Sequence, residues 1–296
     1  MLFFFTTLLC FGFIQSSKAV EIGRKPVFDI SSTPSRNIFL DAVNLTSNEA
    51  RHSLKIVNGQ AAVRGQFCYQ VYLQFSDGRN SWSCGGSLVS SQTILTAAHC
   101  VQGAKSAVAV LGGLDLSQYY EPGRQVIRVY SSGLQYHEKY DSNSIHNDIG
   151  IVKLPRAVTL NEYICTVKLP SCSNELTADS DNKNNFTVSG WGKTSNKKTT
   201  SNLMYVVVSG EPQDSCTTFF KTVAKYDVIE SQLCTSGAGG KSTCNGDSGG
   251  PLVQTDGSGN LVQQGIVSLG LSSCELSAPS VFTDVRYFGD WLCPKL

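Results

Sequence analysis

Cys244-Asn245-Gly246-Asp247-Ser248-Gly249-Gly250-Pro251 sets one serine in a glycine-rich turn directly behind an aspartate. Glycine admits positive-φ backbone and lets another chain approach bare N–H groups closely. A serine hydroxyl is a poor nucleophile until a base takes its proton, so the segment predicts a histidine supplied from elsewhere. Leu95-Thr96-Ala97-Ala98-His99-Cys100 supplies one, and Asn147-Asp148-Ile149-Gly150-Ile151-Val152-Lys153-Leu154 supplies an aspartate in a mostly apolar run. The candidate reacting set is His99, Asp148 and Ser248, in that chain order.

Working outward, the chain reads as β structure. Only 16% of the 296 residues are charged and 27 are glycine, against a usual charged share of about a quarter. Short β-rich runs at 69–75, 87–96, 126–130, 186–192, 203–209, 252–254 and 265–268 are separated by turn residues. Many short strands at such spacing argue an all-β barrel or sandwich.

The first 19 residues read differently. An apolar run from Leu2 to Ile14, followed by Ser17-Lys18-Ala19, has the pattern of a secretory signal peptide, although no basic residue precedes it. No later stretch is apolar for long enough to cross a membrane as a helix. Residues 20–55 are polar and hold no cysteine, so they are read as a pro-segment without assigned structure. Of eleven cysteines, Cys10 lies in the signal and the other ten follow Ile56, which implies five disulfides in a secreted chain.

No metal or other cofactor is expected. There is no C-x-x-C, and His52, His99, His137 and His146 are scattered, with all but His99 read as surface residues. Gly237-Ala238-Gly239-Gly240-Lys241-Ser242 suggests a phosphate loop, but Thr235 stands where its first glycine is required. After residue 55 there are 18 Lys and Arg against 19 Asp and Glu. A charge near neutrality gives no electrostatic reason for a nucleic-acid or anionic-membrane partner.

The His99, Asp148 and Ser248 segments, together with Lys55-Ile56-Val57-Asn58-Gly59, resemble the chymotrypsin-like (trypsin-fold) serine proteases. That resemblance implies a peptidase domain over 56–296: two six-stranded antiparallel β-barrels, about 56–163 and 166–282, then a short C-terminal helix at about 285–293. It implies that Ser248 attacks the scissile carbonyl, His99 relays the proton and Asp148 orients His99. It implies that the N–H groups of Gly246 and Ser248 form the oxyanion hole. It implies a zymogen cut after Lys55, whose new Ile56 ammonium pairs with Asp247, a buried carboxylate being costly unless paired.

The resemblance also assigns bridges Cys84–Cys100, Cys216–Cys234 and Cys244–Cys274. Cys68, Cys165, Cys172 and Cys293 remain, and four cysteines allow three connectivities. Cys68–Cys165 with Cys172–Cys293 is the favoured choice, because the terminal helix is expected over the inter-barrel segment.

For specificity, the family's pocket base falls on Ser242 and its walls on Gly270 and Ser280, with Ser268 opening the substrate-lining segment Ser268-Leu269-Gly270. Ser242 offers no carboxylate for an Arg or Lys side chain, and Gly270 leaves the mouth open. The implied preference is cleavage after Phe, Tyr, Leu or Met. Two alternatives stand beside it. Gly239 to Asn245 also resembles brachyurin-type, crustacean collagenase-like members, which suggests broader specificity; and a protease fold can serve as a non-catalytic binding protein, although such proteins usually lose a triad member. The implied partners are protein or peptide substrates, an activating trypsin-like protease and protease inhibitors, with the chain itself a monomer. The Gly113-Leu114-Asp115 run lacks the family's calcium-binding glutamates. Asn44 and Asn185 each begin a glycosylation tripeptide.

Overall fold

The computed structural model describes residues 59–170, 172, 185–192, 200–240, 246–271 and 277–296. Alternation is the source of its strands. In Gln70–Ser76, the side chains of Val71, Leu73 and Phe75 are fully buried while Tyr72 and Gln74 face outward, the period of two that a one-sided sheet imposes. The first half of the chain holds β1 (Gln60–Ala61), β2 (Gln70–Ser76), β3 (Ser81–Ser90), β4 (Thr93–Thr96), β5 (Ser106–Leu111), β6 (Gln125–Tyr130), β7 (Leu134–Tyr136) and β8 (Gly150–Lys153), with the short helix α1 (Ala98–Val101) after β4. The second half holds β9 (Phe186–Gly190), β10 (Met204–Val208), β11 (Gly210–Glu211), helix α2 (Gln213–Ala224), β12 (Gln232–Thr235), β13 (Pro251–Thr255), β14 (Leu261–Leu269), β15 (Ser280–Asp284) and helix α3 (Gly289–Leu292).

The strands form two antiparallel sheets, ordered β6-β5-β2-β3-β4-β8-β7 and β1-β10-β9-β13-β14-β15-β12-β11. Their outer members explain how each curls into a barrel. β6 and β7 are successive pieces of one stretch, broken only by the 3₁₀ turn Ser131–Gly133. β10 and β11 are likewise halves of one strand bent at Ser209, whose carbonyl accepts from Ser236 N at 2.8 Å. One bent strand thus pairs at both ends of each sheet, and six strand paths close each barrel. β1 departs from the expected division: it lies within 56–163, yet Gln60 and Ala61 pair with Tyr205 and Met204 of the second sheet.

The C-terminal segment is less regular than a single helix. A 3₁₀ turn over Val285–Phe288, then α3, then a second 3₁₀ turn over Cys293–Lys295 follow one another, with Gly289 and Pro294 at the joints. This segment covers His137, which is 9% exposed and packs its ring 5.4 Å from Phe288 and 5.3 Å from Trp291. The surface reading of His137 is therefore corrected, because its cover comes from the far end of the chain. Burial pushes its pKa down.

Four bridges join described residues: Cys68–Cys165, Cys84–Cys100, Cys172–Cys293 and Cys216–Cys234. Cys244 and Cys274 lie outside the described residues.

The sequence reading did not anticipate α2. Its run Cys216-Thr217-Thr218-Phe219-Phe220 is rich in β-branched and aromatic residues, which favour strands. Only Cys216 and Phe220, one turn apart, are buried. The Cys216–Cys234 bridge and the packing of Phe220 with Tyr226, Val228 and Leu269 hold the helix down. Phe220→Ala is expected to cost about 3–5 kcal/mol of stability, whereas Val223→Ala on the exposed side stays within ~0.5 kcal/mol. Urea unfolding of both variants checks this.

Candidate active site

His99 sits in α1, whose Ala98, Cys100 and Val101 are buried. The Cys84–Cys100 bridge ties this helix to β3. Asp148 lies two residues ahead of β8 and is 1% exposed. The chain reaches it through two left-handed residues, Ile145 at φ 53° and Asn147 at φ 56°. A β-branched residue in that region is strained. Burial of Ile145 in a cluster with Tyr226 and Leu269 of the second half of the chain offsets the strain.

The Asp148 carboxylate accepts three hydrogen bonds. His99 N donates to Oδ1 at 2.9 Å, His99 Nδ1 to Oδ2 at 2.8 Å, and Ser268 Oγ to Oδ2 at 2.6 Å. Thr283 Oγ1 donates to the Asp148 backbone carbonyl at 2.8 Å. A carboxylate beside Nδ1 makes that nitrogen the donor, so neutral His99 carries its lone pair on Nε2. Nε2 is buried and makes no hydrogen bond to a described residue. It is a base with its acceptor site open.

Ser248 belongs to a turn between Gly246 at φ 103° and Gly249 at φ 77°. Its carbonyl accepts from Gly85 N at 2.8 Å and lies 3.6 Å from Cys100 Sγ, a contact rather than a hydrogen bond because that sulfur is oxidised. A Cβ on Gly249 would lie 2.2 Å from Thr96 Oγ1 and 2.8 Å from Gly85 O. Glycine is required there, since the turn docks on the strand that leads into α1. The Ser248 turn thus meets the first barrel at the root of the histidine helix.

Asp247 points elsewhere. It is fully buried and accepts from Gly192 N at 2.9 Å. Cβ atoms on Gly190 and Gly192 would lie 2.2 and 2.5 Å from its carboxylate group. The Gly190-Trp191-Gly192 run was the available sign of this contact, and sequence reasoning did not use it. Ser268, expected to line the substrate segment, gives its hydroxyl to Asp148, a second role that the sequence does not signal. Thr283 was missed altogether. No atom of a described residue lies within 4 Å of a Cβ added to Gly270, and Ser280 begins β15, buried. Asn185 is exposed just ahead of β9. Ser242, Lys55, Ile56 and Asn44 lie outside the described residues.

Cys84, His99 and Cys100 bring potential ligand atoms within 4.8 Å of one another. The two sulfurs are bonded to each other and Nδ1 faces Asp148, so this donor set does not suit a metal.

A histidine base oriented by a buried carboxylate, with a serine on a glycine turn docked beside it between two antiparallel barrels, is the arrangement of a serine hydrolase. The Trypsin family model matches residues 56–292. A chymotrypsin of Phaedon cochleariae is 41% identical over 267 residues, covering 89% of this chain and 90% of that one. A brachyurin of Leptuca pugilator is 36% identical, over 80% and 96% of the two chains. A solved structure titled HL collagenase superposes with a TM-score of 0.69 at 32% identity, covering 81% of this chain and 97% of that one. The chain belongs to the trypsin family and is a serine endopeptidase.

Ser268→Ala removes one of three donors to a buried carboxylate. A hydrogen bond to a charged group contributes ~1.5–3 kcal/mol, so kcat/KM is expected to fall about 10- to 100-fold, with KM little changed. Steady-state assays on a peptide amide check the split.

Proposed function

We propose that this endopeptidase is secreted as an inactive precursor, is switched on by cleavage after Lys55, and cuts protein chains after large apolar residues. The observation that carries the catalytic assignment is the His99–Asp148 couple with Nε2 left open. In this reading Ser248 Oγ attacks the scissile carbonyl as His99 Nε2 takes its proton. Asp148 stabilises the resulting imidazolium, and the N–H groups of Gly246 and Ser248 receive the oxyanion. His99 then protonates the leaving amine, and water releases the acyl group by the same route.

The specificity reading rests on the lack of a side chain at Gly270, on Ser242 in place of an anion, and on similarity to a protein named chymotrypsin. The brachyurin and HL collagenase likenesses favour a second, broader reading. Secretion rests on the apolar leader and on four bridges of the kind that oxidising compartments sustain. Among the described residues no helix is long and apolar enough to cross a membrane.

Activation has a built-in requirement. Cutting after Lys55 demands a pocket that holds an ammonium group, and burying it beside Ser242 without a counter-charge costs several kcal/mol. A loss of ~4 kcal/mol at the transition state is about a thousandfold in rate. A trypsin-like enzyme is therefore the activator.

The full-length precursor, alone and with a trace of trypsin, is assayed on peptide amides ending in Phe, Leu, Ala and Lys, with fluorophosphonate labelling in parallel. The trypsin-treated protein is expected to label at Ser248 and to prefer Phe and Leu, while the untreated precursor stays silent. Equal rates on Ala and Phe establish the broad reading. Self-activation that scales with precursor concentration, or preference for Lys, overturns the pocket assignment. Ser242→Asp is expected to raise cleavage after Lys.

A further inference from the structure

Among the described residues, six large apolar side chains have more than half their surface exposed: Val63, Tyr119, Tyr120, Val126, Tyr130 and Tyr287. Val126 and Tyr130 are held in β6, Tyr287 lies in the first C-terminal 3₁₀ turn, and Val63 is not a residue this pocket is read to prefer. Tyr119 and Tyr120 remain. Tyr119 is fully exposed and Tyr120 is 76% exposed. They sit together in the loop between β5 and β6, and neither makes a backbone hydrogen bond to a described residue.

From this juxtaposition we propose that the Tyr119–Tyr120 peptide bond is a self-cleavage site, cut by one copy of the enzyme in another to give a two-chain form. The proposal rests on the apolar specificity read above. Ser248 Oγ takes the Tyr119 acyl group, breaking its bond to Tyr120 N. Tyr120 leaves as an amine carrying the proton from His99, and water then frees a carboxylate on Tyr119. One water is consumed, and no further reactant is needed.

The loop also carries the restraint on this reaction. A protease binds its substrate as an extended segment, so residues on both sides of the bond must let go of the surface. Immediately downstream, Glu121 is buried. Both its oxygens accept from Leu114 N at 3.0 Å, and Oε1 also accepts from Asp115 N at 3.2 Å. Upstream, Asp115 holds Ser117 N at 3.0 Å and Arg124 Nη1 holds the Gln118 carbonyl at 2.8 Å. Arg124 also faces the Glu121 carboxylate at 3.6 Å. Cleavage therefore proceeds through local opening of this latch, and its rate follows the latch's strength.

The product should stay in one piece. The cut falls between Cys100 and Cys165, so Cys68–Cys165 links the two chains covalently. The β5–β6 pairing from Ser106↔Tyr130 to Leu111↔Gln125 flanks the nick on both sides.

Full-length Ser248→Ala chain, processed at Lys55, is incubated with a catalytic amount of active enzyme. In parallel it is incubated with an aromatic-specific endopeptidase of established preference. The expected result in both is two fragments under reducing conditions, one ending at Tyr119 and one starting at Tyr120 by mass spectrometry, and a single species without reductant. Glu121→Gln weakens the latch by the difference between a charged and a neutral acceptor, so nicking is expected to run about five- to tenfold faster. Tyr119→Ser is expected to abolish it while leaving peptide hydrolysis unchanged. Nicking by the reference endopeptidase but not by this enzyme overturns the proposal through its specificity. Resistance to both, while the enzyme cleaves Tyr-ended peptides, overturns it through the loop and leaves the specificity reading standing.

Discussion

A buried carboxylate, that of Asp148, is the interaction on which the rest of the site depends. Taking such a group out of water costs several kcal/mol unless donors surround it. Here the donors come from both barrels: two from His99 in α1, and one from Ser268 in β14, while Thr283 in β15 holds the Asp148 backbone. Neither barrel alone provides the complete shell. The charge that orients the base also fastens the two halves of the molecule at the place where the chemistry occurs. The Ser248 turn, pressed onto Gly85 and Thr96, is the second fastening.

How far the sequence spoke for this depends on whether the cause was local. Catalysis demands particular residue types in particular turns, so His99, Asp148 and Ser248 stood out. Alternation along 69–75 exposed β2 in the same way. The donors Ser268 and Thr283 gave no sign, because a hydroxyl in a strand looks the same whether it meets water or a carboxylate; the difference is made by the other barrel. His137 looked like a surface residue because its cover, Phe288 and Trp291, arrives from about 150 residues downstream. Cys68, Cys165, Cys172 and Cys293 were open to three pairings until three-dimensional proximity chose between them.

Local propensity also misled in one place. The threonines and phenylalanines of α2 speak for a strand, and a bridge through Cys216 with the burial of Phe220 makes a helix of them. Tertiary contacts outweighed a preference that amounts to tenths of a kcal/mol per residue. The strained backbone at Ile145 is a related case, in which packing against the second half of the chain pins the approach to Asp148.

The bent strands that close the two barrels have a further consequence. An open sheet offers a row of unpaired N–H and C=O groups to any extended chain nearby. An endopeptidase works among such chains, so a free edge would collect them indiscriminately and lead to clumping. By turning one strand through the corner at Ser131–Gly133 and another at Ser209, the fold gives both halves of each bent strand a partner at opposite sides of its sheet. Fewer backbone groups are thereby left for a visiting peptide to pair with. Closure of the scaffold and selectivity of the cleft are, in this sense, one property.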